Sequence, residues 1–189
     1  MNISEENADQ LIINAKFNRY LLTFALDLDR NIYPVVGFVI DHAVWLLNLR
    51  IAGKELSANQ LEDFNKEANN IYRSVLCYQY DQLSEPTSAF EWAKLYASQS
   101  EFASCNDSAR YALLAARNAI NFPELTPAFD GIVATCVTKS VAYNAEAGVL
   151  RLFDGDVFTN AEGWNMYDSV SASTRSMIKD CIAAGTYLS

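Results

Sequence analysis

The chain has a single histidine, His42, among its 189 residues. A zinc site with two imidazoles is therefore impossible, as is a di-iron bundle built from two Glu-x-x-His motifs. A Ser-His-Asp or Cys-His arrangement needs only one imidazole, but no Gly-x-Ser-x-Gly elbow is present to carry a nucleophile. The four cysteines, Cys77, Cys105, Cys136 and Cys181, lie far apart without a Cys-x-x-Cys pair. That spacing reads as small buried apolar residues in a reducing compartment. Seven glycines are scattered along the chain. They form no phosphate-binding loop, so nucleotide binding by the usual loops is unsupported, and the expected complement is no metal and no cofactor.

Lysine and arginine never occur as a run. With 14 of them against 23 acidic residues the net charge is −9, and no acidic tail concentrates it. A chain of this kind repels phosphate backbones and anionic lipid, so neither nucleic acid nor a membrane is an expected partner, whereas a basic protein is. The amino terminus, MNISEENADQ, has neither the basic region nor the apolar core of a secretion signal, and the expected location is the cytoplasm.

What the chain does have is helical periodicity. Its length fits one domain, 1–189, with no linker visible, and the expected fold is all-α, a helical bundle of about six to seven helices. A first helix starts near Ser4, with Ile13, Phe17, Tyr20, Leu21, Phe24 and Leu28 on one face and Lys16, Arg19, Thr23, Asp27 and Arg30 on the other. Pro34 turns the chain into Val35 to Gly53, apolar at nearly every position, which predicts a central helix covered on nearly all sides and antiparallel to the first. Asp41, His42, Asn48 and Arg50 interrupt it too often for a bilayer crossing of about 20 apolar residues.

Ser57-Ala58-Asn59-Gln60 and Ser88-Ala89-Phe90-Glu91 are capping boxes, opening a long third helix with the stripe Leu61, Phe64, Ala68, Ile71, Val75, Tyr78 and a shorter fourth through Trp92 and Tyr96. The polar run from Ser98 to Asp107 predicts a break before an alanine-rich helix over 109–121. Thr126-Pro127 predicts the start of the next helix. Ile132 to Leu150 is β-branched, but its helix signals predict a helix. Alternation around Asp154-Gly155 predicts a small β-hairpin over 150–159, or a tight loop in its place, and Ser171 to Ala184 closes the fold as a last helix ending at Gly185.

Candidate chemistry is thin. Asp154, Asp156, Asn160 and Glu162 gather oxygen ligands but miss the spacing of a calcium loop, with Phe158 where a ligand belongs, and read as a solvated turn. Asp41 and His42, adjacent in sequence, point about 100° apart on a helix and are not an acid-base pair. Within its apolar surroundings His42 reads as a buried, hydrogen-bonded residue. Ten tyrosines and ten phenylalanines suit either a helical core or a binding stripe. The expected function is that of a non-enzymatic acidic protein-binding module, most sharply an immunity- or antitoxin-type inhibitor that masks a basic toxin or enzyme. The alternative is an enzyme or small-ligand protein with an inter-helix pocket near Asp41, His42, Arg110 and Arg117. A second alternative is a structural subunit of a homo-oligomer.

Overall fold

The computed structural model describes the backbone of residues 3–26, 34–77, 89–152 and 160–189, and the side chains of 5–25, 34–75, 99–151 and 163–189. Among the described residues six α-helices follow one another: α1 (Ile3–Leu26), α2 (Pro34–Ile51), α3 (Ala58–Cys77), α4 (Ala89–Asn121), α5 (Ile132–Leu152) and α6 (Asn160–Ala184), with a 3-10 turn at Thr186–Leu188. The fold is all-α, and no strand occurs among the described residues.

Local chemistry sets the helix ends. The Ser57 backbone N–H donates to Gln60 Oε1 (2.9 Å) and the Gln60 N–H to Ser57 Oγ (3.1 Å), the reciprocal bonds of a capping box. At the end of α2, Gly53 takes a φ of 79°. Its N–H donates to the Arg50 carbonyl (2.9 Å) while the Lys54 N–H reaches Leu49 (3.0 Å), so otherwise orphaned carbonyls find donors. Ala8, Leu11 and Ile12 near the start of α1 share a cavity with Arg50, Gly53 and Lys54 at the end of α2, which makes this pair antiparallel as its sequence predicts.

The centre of the bundle is α4, not α2. Ala109, Ala112, Leu113, Ala115, Ala116, Ala119 and Ile120 are all buried, and α4 touches α1, α2, α3 and α5. Alanines let several neighbours approach at once, which the larger side chains of α2 do not permit. On α2 a single stripe is buried, Val36, Val39, Ile40, Ala43, Leu46 and Leu47, so the expectation of cover on nearly all sides is overturned.

The break expected within Ser98 to Asp107 is absent: α4 runs unbroken through it. Ser104 in that run and Ser108 just after it turn their hydroxyls to α5 instead of to their own backbone. Ser108 Oγ donates to the Ser140 carbonyl (2.7 Å), Ser140 Oγ donates back to the Ser108 carbonyl (2.7 Å), and Ser104 Oγ donates to Glu146 Oε2 (2.9 Å). These bonds fasten α4 to α5, the most extensive helix pairing among the described residues.

The next helix starts at Ile132, later than Thr126-Pro127 implies. Gly131 caps it, its carbonyl taking the first helical bond from Thr135 N–H (2.8 Å), and a Cβ there would meet the Ala128 carbonyl oxygen at 3.3 Å. Ile132 to Leu150 is helical as expected, and Leu150–Leu152 continue α5 in place of the first arm of a hairpin. Residues 153–159 lie outside the described set, as do the side chains of Asn160 and Glu162, so the Asp154 turn falls there too. The last helix begins at Asn160, well before Ser171, and ends at Gly185 with φ 66°. Cys105, Cys136 and Cys181 are buried.

Candidate functional site

With one side of α2 on the core, its other side is left facing solvent. Val35 is 41% exposed, Phe38 65% and Trp45 51%. Spacings of three and seven residues put the three on one face. Asp41 and Asn48, also seven apart and exposed, run alongside as a polar row. At the Asn48 end, Arg19 Nη1 of α1 donates to Asn48 Oδ1 (2.7 Å). Among the described residues α2 is also the one helix long and apolar enough to cross a membrane, with 39% of it buried in the bundle.

His42 sits on the α3 side of this stripe. Its Nδ1 lies 2.6 Å from Glu67 Oε2, a charge-assisted geometry, and its ring meets Phe64 edge-on (centroids 5.4 Å apart, 83°) and Trp45 at 6.1 Å. It is hydrogen-bonded and partly buried, and it links the exposed indole of Trp45 to the buried ring of Phe64. Glu67 of α3 adds negative charge beside the stripe. The Glu67 contact fixes the imidazole orientation as a carboxylate does in a triad, but among the described residues Nε2 touches no hydroxyl or thiol that it could activate.

The other pocket candidates lie elsewhere. Arg110 pairs with Asp107 (3.2 Å) and stands 4.8 Å over the Tyr111 ring, while Arg117 stands 5.7 Å over Tyr72 of α3. Among the described residues, neither the cavity beside α1 and α2 nor the one between α5 and α6 is lined by Asp41, His42, Arg110 or Arg117. Among the described residues no three His, Cys, Asp or Glu side chains converge as a metal site requires.

An aromatic seam crosses the other half of the bundle. Tyr111 of α4 stacks on Tyr143 of α5 (5.8 Å, 4° between planes), Tyr143 meets Tyr167 of α6 at 4.7 Å, and Tyr167 meets Trp164 at 5.9 Å. Burial first, then the neighbouring Tyr167 and Asp107, pushes the Tyr143 phenol up to about 12. Phe38 and Trp45 read as core in the sequence. The signal against that reading is the Asp41 and Asn48 row, which marks a wet edge of the helix.

No known protein family, curated protein or solved structure matches this chain.

Proposed function

We propose that the protein acts by binding another protein, with Phe38 and Trp45 as apolar anchors and its negative charge drawing in a basic partner. The observation that carries this reading is the exposed aromatic stripe on α2. Burying two such rings in partner pockets removes a large apolar area from water, and anchors of this type commonly supply about 2 kcal/mol or more each. Asp41 and Glu67 flank the stripe, and the field of a −9 molecule speeds encounter with a cationic surface. The most specific form of the proposal is an immunity- or antitoxin-type inhibitor that covers a basic toxin or enzyme. Lipid is the less favoured occupant, because Asp41 and Asn48 run along the edge of the apolar face and anionic headgroups repel an acidic body.

Affinity capture at low and high salt, wild type beside a Phe38→Ser/Trp45→Ser variant, tests it. The expected result is a basic partner held by the wild type at low salt and lost both on raising salt and in the variant. Binding to neutral-lipid vesicles, self-association abolished by the same pair, or turnover that disappears in His42→Ala would each replace it with a different function.

A further inference from the structure

The apolar face of α2 carries information about the shape of what covers it. Val35, Phe38, His42, Trp45 and Leu49 follow one another in steps of three and four residues, the period of a coiled-coil seam. Val35, Phe38 and Trp45 are exposed, and His42 and Leu49 are half-buried. On the other side of the helix Val36, Ile40, Ala43 and Leu47 repeat the same period, and all four are buried in the bundle. Two seams of one period belong to a helix flanked by helices on both sides, and among the described residues only one side of α2 is covered. From Val35 to Leu49 the open seam runs about 21 Å at 1.5 Å per residue, the length of a four-turn helix. An extended segment has no edge to pair with here, because the backbone bonds of α2 are internal to it, whereas side chains at this spacing leave grooves that admit the ridges of another helix. Charge selects among helices. Asp41 borders the seam on one side, and Glu67 of α3, 2.6 Å from His42 Nδ1, borders it on the other. A second copy of the chain would set −9 against −9, so the seam favours a cationic helix over its own twin.

Building on the reading that this face binds protein, we infer that its occupant is one amphipathic helix of the partner, laid along α2 with lysine or arginine on both flanks of its apolar stripe. Phe38 and Trp45 fill the spaces between the apolar side chains of that helix, and its flanking cations meet Asp41 and Glu67. His42 sets the register. With Nδ1 held by Glu67, the half-buried imidazole keeps Nε2 for a polar side chain at the facing seam position, and one polar pair in an apolar seam fixes the alignment of two helices.

Fluorescence anisotropy of a labelled synthetic peptide, titrated with the full chain, tests this. The peptide has three heptads with leucine at a and d, asparagine at the central a, and lysine at e and g, where like charges keep it from pairing with itself. Saturable one-to-one binding with a gain of helical dichroism is expected. Phe38→Ser/Trp45→Ser should weaken it by about tenfold or more, whereas Leu11→Ser, at an exposed leucine of α1, should leave it unchanged. A peptide of the same charge with two central prolines cannot form the helix and should not bind, nor should one with glutamate in place of lysine. Exchanging the central asparagine for leucine should weaken binding to the wild type and strengthen binding to His42→Leu; the same preference in both proteins would overturn the role of His42. Equal binding of the proline peptide, affinity indifferent to the Phe38 and Trp45 pair, or no binding of the lysine peptide overturns the helix assignment. So does self-association of the chain that the same pair removes, which would put a second copy on the face. Capture of a basic partner that depends on Phe38 and Trp45 while the lysine peptide fails would leave the protein-binding reading standing, so the two failures are distinguishable.

Discussion

Glu146 shows what one buried side chain can impose on the whole equilibrium. It accepts from Ser104 Oγ (2.9 Å) and packs against Gly163, whose missing Cβ would lie 3.3 Å from Glu146 Cγ. Burial raises its carboxyl above the ordinary value, the Ser104 bond opposes this, and the charge of Asp107 adds to the rise. With the folded value above the unfolded one, the native state binds this proton more tightly. The contribution of Glu146 to stability is then full below the unfolded value and is lost as pH rises through the folded one. Glu146→Gln keeps the shape and the acceptor and removes the charge, so it should be more stable than the wild type at neutral pH, with the gap closing in mildly acidic buffer. Urea midpoints at the two pH values check this, and a variant less stable at neutrality would reverse the sign. Asn14 shows the same dependence on tertiary context: it is buried because Gln10 donates to its Oδ1 (2.8 Å) and its own Nδ2 donates to the Pro123 carbonyl (3.0 Å), partners that no helical pattern announces.

At the scale of the element, the features legible in the sequence are those decided within a turn or two of chain. The Ser57 box, Gly53 and Gly185 need only their own neighbours, and the stripe Phe64, Ala68, Val75 follows from helical spacing alone. Ser57→Ala should therefore cost about 1 kcal/mol in denaturant unfolding, the usual worth of such a cap. The continuity of α4 was not legible, because the partners that occupy Ser104 and Ser108 lie 42 and 32 residues away. Nor was the exposed face of α2: composition gives how apolar a helix is, but which neighbour takes its second side depends on packing of all the others. The centrality of α4 has its own test. Ala112 and Ala116 are fully buried at close approach, so Ala112→Leu should destabilise by about 1–3 kcal/mol through overpacking, read by thermal or urea unfolding. At the candidate sites, His42 and the two arginines were visible as residue types, but what each faces was not.

For the whole molecule, a distinction between stability and binding follows from where the apolar residues ended up. Phe38 and Trp45 contribute little to the core, so replacing both by serine should leave the urea midpoint within about 0.5 kcal/mol of the wild type while abolishing partner capture. A large loss of stability would show that the stripe is structural. With −9 net charge, the rate of association with a basic partner should also fall as the screening length shortens with added salt, and dissociation should change less. The Tyr111, Tyr143 and Tyr167 seam has an optical consequence. Two nearly parallel phenols held 5.8 Å apart sit in a fixed asymmetric setting that gives the near-ultraviolet region a dichroic signature, one that depends on α4, α5 and α6 staying in register. Helices that persist after their packing loosens keep the far-ultraviolet signal and lose this one. Following both bands through acid or mild denaturant would thus time the slippage of three helices against the melting of their backbones.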